Sequence, residues 1–323
     1  MSNSLESLAI GLDVGGTAIK AGLVNRRGHV VSTQTIATEA NGGVDHVIER
    51  MIRLIRALTN EAAAAGSRIE AVGVGMPGTL SRKKGMVIAP PNLPGWRNIP
   101  IVKWLSEGTG HRVVLDNDAN NAALGEFICG AGRGVQNMIM LTLGTGVGGG
   151  MIFGGRLWRG AYENAGEIGH TIIVVGGRRC GCGQLGCLEA YASATATVTR
   201  AMERISNGED TCLRAELNNG RLLTTEMIVS AARNGDALAR DVWEETCRYL
   251  AVACLNLQHT ASLERIVLAG GMSAAGEALR RPVLDAIDQI GSKMLGDPPD
   301  IRLAELGNDA GFIGSALSVF EPA

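Results

Sequence analysis

The chain has 323 residues, 46% of them apolar and 19% charged, and its 30 basic and 32 acidic side chains leave a formal charge of −2. That balance excludes a disordered chain and argues against nucleic acid or an anionic membrane as the main partner. The 45 glycines, about 14% against roughly 7% in an ordinary protein, follow no Gly-x-y period and so belong inside a globular fold.

Length predicts two domains. Met1 to Glu6 has no basic stretch and the apolar run from Leu8 is broken at Asp13, so no signal peptide is expected. Leu8–Leu12, Ile19–Val24 and His29–Ser32 read as three strands, the first two joined by the glycine turn Asp13-Val14-Gly15-Gly16-Thr17. Val44 to Ala65 carries apolar residues at helical spacing, and Gly66 reads as its stop. Ala71–Val74 is a buried strand ending in Met76-Pro77-Gly78. Val113–Leu115 is another, running into Asp116-Asn117-Asp118 and a helix through Phe127.

At Met138 the opening pattern returns. Ile139–Leu143 is a strand, Gly144-Thr145-Gly146 a turn and Met151–Phe153 a second strand, which implies an internal repeat of about 130 residues. The uncharged run from Asn137 to Gly155 is too rich in glycine for a membrane helix. A helix over Asp241–His259, a strand over Arg265–Leu268, Gly270-Gly271, a helix from Gly276 to Met294 and a short helix over Gly307–Phe320 complete an α/β pattern.

Backbone N–H groups in glycine turns can point at phosphate oxygens, Thr17 and Thr145 can add hydroxyls, and Lys20 a positive charge. No Gly-Lys-Ser/Thr occurs, which excludes a Walker A loop. Gly144 to Gly149 matches the dinucleotide fingerprint but is followed by a strand, which argues against a Rossmann dehydrogenase. Two such turns at matching places, with Gly270-Gly271 to receive a nucleoside, favour ATP over ordinary tight hairpins. Much of the glycine surplus is accordingly expected at a phosphate-binding cleft and around a metal.

Three of the seven cysteines, Cys180, Cys182 and Cys187, lie close together, with His170 ten residues upstream of the first. Thiolates and imidazole suit Zn²⁺, and four protein ligands mark a structural site, which is favoured over free thiols or a Cys180–Cys182 redox pair. The odd cysteine count points to the cytoplasm. Asp118 ends a strand and heads a helix, which suits either a general base or a plain N-cap, and position alone does not choose between them. With 3% aromatic residues, a stacked-aromatic sugar platform is not expected.

Several blocks resemble the ROK family of bacterial sugar kinases, most nearly its ATP-dependent glucokinases: Asp13 to Lys20, Asn117-Asp118-Ala119-Asn120, Leu143 to Gly150, Ala165-Gly166-Glu167-Ile168-Gly169-His170 and Cys180 to Glu189. The resemblance implies a two-domain actin-like ATPase fold of the ribonuclease H-like α/β class, with a small domain of residues 1–118 plus 305–323 and a large one of residues 119–304. It implies phosphorylation of glucose to glucose 6-phosphate in glycolysis, with Asp118 as base. The sugar would be held by Gly78, Asn92, Asn117, Asp118, Glu167, His170 and Glu189. ATP would be held by Asp13, Gly15, Gly16, Thr17, Lys20, Gly144, Thr145, Gly146, Gly270 and Gly271, with Asp13 orienting Mg²⁺ and Zn²⁺ on His170, Cys180, Cys182 and Cys187. A homodimer or tetramer is the expected assembly.

Departures are small: Asp116 stands where the family often has glutamate, Ala269 where a further glycine is common, and Thr260-Ala261-Ser262 in place of a frequent Asp-Pro. The competing expectations are a kinase of N-acetylmannosamine, fructose or allose, polyphosphate as donor, and a sugar-sensing ROK regulator. The regulator would need a winged helix before the first strand, where Leu8 leaves little room. A purely structural, actin-like role would not need Glu167, Glu189 or the cysteine cluster.

Overall fold

The computed structural model describes residues 7–90, 92–291 and 299–321. Pro91, the expected start of the chain and the extension of the Gly276 helix to Met294 lie outside the described residues. In chain order the elements are β1 (Ser7–Val14), β2 (Ala18–Asn25), β3 (Val30–Ala37), α1 (Val44–Ala64), β4 (Arg68–Met76), β5 (Thr79–Ser81), β6 (Met86–Ala89), α2 (Ile101–Thr109), β7 (Val113–Asn117) and α3 (Asp118–Cys129). Then follow β8 (Met138–Leu143), β9 (Val147–Phe153), β10 (Arg156–Leu157), α4 (Glu189–Ala192), α5 (Ala194–Ser206), α6 (Leu213–Asn218), α7 (Thr225–Arg233) and α8 (Ala237–Ala261). The last are β11 (Arg265–Ala269), α9 (Glu277–Ile290), β12 (Asp300–Leu303) and α10 (Ala310–Ser318).

The chain divides into two compact units, one of residues 1–134, 150–166 and 305–323, the other of residues 135–149 and 167–304. The first unit is built on a five-stranded sheet of order β3-β2-β1-β4-β7, whose first three strands are antiparallel and whose last two run parallel to β1. Successive side chains of a strand face opposite ways. Leu8, Ile10 and Leu12 accordingly join one core with α1 and α2, while Ala9 joins another with Leu124 of α3 and Phe312, Ile313 and Leu317 of α10. The edge strand β3 shows strict alternation of half-buried and exposed residues. Helix α1 buries Val47, Ile48, Met51, Leu54, Ile55, Leu58 and Ala62, the stripe its spacing predicts.

The expected border at Asp118 falls at the start of α3. That helix packs on α10, with Asn121 Nδ2 donating to Ser315 Oγ at 2.9 Å, so the first unit continues to Gly134 and also takes in residues 150–166.

The second sheet has the order β10-β9-β8-β11-β12, with β8, β11 and β12 parallel. Position for position this repeats the first: a third strand, a second, the first, then two parallel additions. The internal repeat read from two glycine turns is therefore a repeat of topology. Met138 to Leu141 and the whole of β11 are buried on both faces, as expected of strands covered by helices. Among the described residues no helix is long and apolar enough to cross a membrane.

Candidate active site

In open α/β sheets the carboxyl ends of the parallel strands are where loops can converge on a ligand. Register places Asp13 of β1 opposite Gly75 of β4, and Met76 of β4 opposite Asn117 of β7. Asp13, the Gly78 turn and Asn117-Asp118 therefore leave the first sheet at one edge. The Gly15–Thr17 turn is closed by the Gly15 N–H donating to Ala18 O at 2.9 Å and buttressed by Thr38, whose hydroxyl donates to Gly15 O at 2.6 Å. Leu93 and Trp96 are buried in the core of this unit and pin the loop that leaves Asn92 exposed.

The N-cap of α3 is Asn117, whose Oδ1 accepts from the N–H groups of Ala119 at 2.9 Å and Asn120 at 3.2 Å. The capping role that Asp118 might have filled thus belongs to its neighbour. Asp118 Oδ1 accepts from Ala119 N at 2.9 Å, and the residue remains half-buried.

Burial first, and the negative charge of Asp118 second, raise the Asp13 carboxyl to about 7, against a smaller opposing pull from Lys20. A little of Asp13 still reaches the surface, so this is a carboxylate deprived of most of its water but open on one side. Carboxylate oxygen is a ligand type that Mg²⁺ accepts, a cation that takes few carboxylates and keeps several waters. Lys20 Nζ pairs with Asp309 at 2.5 Å and donates to Asn308 O at 3.3 Å. Asp309 at the start of α10 carried no motif that sequence reasoning could use.

In the second unit β11 lies beside β8 with Ala269 opposite Thr142, so Gly144-Thr145-Gly146 and Gly270-Gly271 emerge side by side. A Cβ added at Gly144 or Gly271 would meet nothing within 4 Å, which leaves open space above both turns. The Gly144 and Thr145 carbonyls accept from Ala194 N at 2.8 Å and Thr195 Oγ1 at 2.9 Å, fixing the turn to the start of α5.

The ligand atoms of His170, Cys180, Cys182 and Cys187 all lie within 4.8 Å of one another. Cys182 and Cys187 sulfurs are 3.7 Å apart, and Cys180 Sγ is 3.7 Å from His170 Nδ1. Thiolates held about 2.3 Å from a tetrahedral zinc stand about 3.8 Å from each other, so the donor set fits that ion in type, number and spacing. The hydrogen bond from Gln184 N–H chiefly lowers the Cys182 thiol to about 7, while burial pushes Cys180 up to about 12. The Nε2 of His170 faces Glu167 at 3.9 Å.

Glu189, expected at the sugar, makes two further links. Its Oε2 accepts from Val147 N at 3.0 Å and its Oε1 receives Cys180 Sγ at 3.5 Å, joining the glycine turn to the cysteine loop. In the first unit, sequence reasoning also missed the partners of the buried Asp116, namely the half-buried Arg82 and Arg159, which no spacing signals.

Two α/β units with the same strand order, each presenting glycine turns at the carboxyl ends of its parallel strands, define the actin-like ATPase fold of the sugar kinases. The sequence profile of the ROK family matches residues 9–321, and the chain belongs to that family. It is 37% identical over 311 residues to the glucokinase of Halalkalibacterium halodurans, covering 96% of this chain and 94% of that one. The ROK hexokinase of Thermus thermophilus superposes with a TM-score of 0.82 at 34% identity, covering 97% of this chain and 98% of the other. The ROK glucokinase of Streptomyces griseus, solved with glucose and AMPPNP, gives a TM-score of 0.79 at 35% identity over 96% of this chain and 98% of the other.

Proposed function

We propose that this protein is an ATP-dependent glucokinase that transfers the γ-phosphoryl group of ATP to the 6-hydroxyl of glucose. The observation that carries the reading is the placement of Asp13 and of Asn117-Asp118 at the same, carboxyl-terminal end of the parallel strands of the first sheet. It is joined by the likeness to glucokinases along nearly the full chain. Asp118 accepts the proton of the hydroxyl, the freed oxygen bonds to the γ-phosphorus, and the bond to the β-phosphate oxygen breaks to release ADP. Phosphoryl transfer needs positioning and charge stabilisation more than covalent help.

Asn117, with its Oδ1 spent on the helix cap, offers its amide N–H₂ to a sugar hydroxyl. Gly78, Asn92, Glu167, His170 and Glu189 supply the remaining sugar contacts. Gly15, Gly16, Thr17, Lys20, Gly144, Thr145, Gly146, Gly270 and Gly271 are the residues assigned to the nucleotide. Asp13 would hold Mg²⁺, which would supply charge neutralisation at the phosphates. His170, through Nδ1, and the three thiolates would hold a structural Zn²⁺ that ties the 167–189 loop together, with His170 Nε2 left for the sugar.

The test is a panel of hexoses and phosphoryl donors scored by ADP release from purified protein. Glucose with ATP should give the highest kcat/KM. Asp118→Asn should retain glucose binding while losing about 10²–10⁴-fold in turnover. A preference for N-acetylmannosamine, fructose, allose or polyphosphate, or glucose binding without turnover, would overturn the assignment.

A further inference from the structure

Asp116 is 1% exposed, yet it is charged and lies immediately before Asn117-Asp118. A carboxylate buried to that degree costs several kcal/mol unless it is fully paired, and an apolar residue would often serve a core as well. Both oxygens are engaged. Oδ1 accepts from Asn117 N at 2.8 Å and from Asn120 Nδ2 at 3.1 Å, so it holds the backbone and first turn from which Asp118 projects. Oδ2 faces two guanidinium groups, Arg159 Nε at 2.6 Å and Arg82 Nε at 3.2 Å.

Those two arginines come from two other segments of the first unit. Arg82 follows β5, the strand that leaves the Gly78 turn, and its Nε also donates to Leu115 O at 3.1 Å. Arg159 lies on the segment that ends at Gly166, and its second arm reaches Glu321 at 2.9 Å. A further link closes the ring: Glu163 Oε2 accepts from the N–H groups of Arg82 at 3.1 Å and Lys83 at 3.4 Å. Glu163 does this from a left-handed backbone with φ of 62°, a conformation that persists in a non-glycine residue only where surrounding contacts enforce it.

We propose that Asp116 is a positioning residue: with Arg82 and Arg159 it locks the Gly78 hairpin, the Asn117-Asp118 turn and the segment leading to Glu167 into one register, so that Asp118 meets the sugar hydroxyl correctly aligned. The inference rests on the kinase reading for its catalytic consequence, but not for the hub itself. A group that only filled the core would affect stability. One that aims Asp118 affects kcat more than sugar affinity, because small misplacements of a reacting group are costly in rate.

The test compares wild type with Asp116→Asn, Arg159→Met and the double variant, using glucose and MgATP. Each single change should lower kcat about 10- to 100-fold with the KM for glucose shifted less than about threefold, and the double should be no worse than the poorer single. Amide hydrogen exchange across residues 117–121 should accelerate about tenfold in Asp116→Asn, a readout independent of turnover. Arg159→Lys, at a side chain 16% exposed, keeps the charge but cannot bridge Asp116 and Glu321 together, and it should show the same kcat loss in a folded protein if Asp116→Asn does not fold. Unchanged kcat and exchange, or a fall in Tm alone, would overturn the hub. Absence of wild-type turnover with every sugar and donor would instead overturn the kinase reading and the catalytic consequence drawn from it, while the exchange experiment still decides whether the hub orders the turn.

Discussion

The Asp13 carboxylate lies directly against Gly311: a Cβ added there would stand 2.3 Å from Asp13 Oδ2 and 2.6 Å from its Cγ. The first turn of α10 thus covers one side of Asp13 and strips it of water, the principal reason its carboxyl is raised to about 7. Gly311→Ala should push Asp13 out of place and lower kcat by about 10²-fold, the scale of a 1 Å misplacement.

The same contact predicts a pH dependence. Only deprotonated Asp13 can bind a cation, so kcat/KM for MgATP should climb with pH and level off above about 7. The stability effect has the opposite sign. The folded carboxyl holds its proton more tightly than the unfolded one, whose ordinary value is 3.8, so its favourable contribution is complete below 3.8 and is lost as pH rises through about 7. Asp13→Asn, which has no charge to bury, should therefore melt higher than wild type at pH 8, by roughly 2–4 °C for each kcal/mol, while losing kinase activity. A variant that melts lower at pH 8 and keeps the wild-type pH profile would refute both halves.

Gly16, in the turn assigned to phosphate, abuts Asn92, in the loop assigned to the sugar: a Cβ at Gly16 would meet Asn92 O at 2.8 Å and Asn92 Cβ at 2.9 Å. The methyl group of Gly16→Ala cannot be fitted without moving the Asn92 backbone. KM should rise for glucose and for ATP together, each by roughly tenfold, or about 1.4 kcal/mol. Steady-state titration of each substrate at saturation of the other measures this, and a rise in one KM alone would separate the two loops.

Several elements of the fold are legible because they obey local rules, while the short β5, β6 and β10, the helices from α4 to α7 and β12 carry no such signal. Helix α1 announced itself by its apolar spacing, β8 and β11 by short apolar runs ending in glycine, and the metal-type cluster by chemistry that packing does not explain. Asp116, Arg82 and Arg159 were not legible, since residues 34 and 43 positions apart meet only after the sheet forms and an aspartate next to an Asn-Asp pair has no distinguishing neighbour. The glycine surplus has a second source. Gly11 and Gly73 face the backbone of α10, where a Cβ would lie 1.9 Å from Phe312 O and 1.7 Å from Ser315 O, so part of the excess serves close helix-on-sheet packing instead of phosphate or metal.

Glu189 stands between the cysteine loop and the Gly144 turn, its Oε1 3.5 Å from Cys180 Sγ and its Oε2 accepting from the Val147 N–H, so a change of protonation at Cys180 on metal loss should be felt at the nucleotide as well as the sugar. Elemental analysis should find one zinc per chain. Chelation, or Cys182→Ser, should lower Tm and raise the KM of both glucose and ATP by about 10- to 100-fold, the usual effect of disturbing groups around a metal. Metal-free protein with both KM values unchanged would show that the loop holds its shape without the ion.

Helix α3, which begins two residues after Asp116, carries a buried carboxylate at its far end, and the contrast between the two separates rate from stability. Glu126 is fully buried, and its oxygens accept from Ala131 N at 2.8 Å, Glu305 N at 3.1 Å and Leu306 N at 2.7 Å. These bonds tie the end of α3 to the segment returning toward α10. Glu126→Gln places an N–H₂ group against one or more of these donors and should cost about 1–3 kcal/mol. Glu126→Ala removes the acceptor of all three bonds and should cost roughly 3 kcal/mol or more. Glu126 stands eight residues from Asp118, about 12 Å along the helix, and its carboxylate bonds the backbone of Ala131, Glu305 and Leu306 instead. Urea unfolding should therefore show the loss in both Glu126 variants, while kcat for Glu126→Gln at 25 °C stays within twofold of wild type. A kcat loss there equal to that of Asp116→Asn would mean that α3 transmits strain along its length, and the hub at its N-terminus would no longer account for the alignment of Asp118.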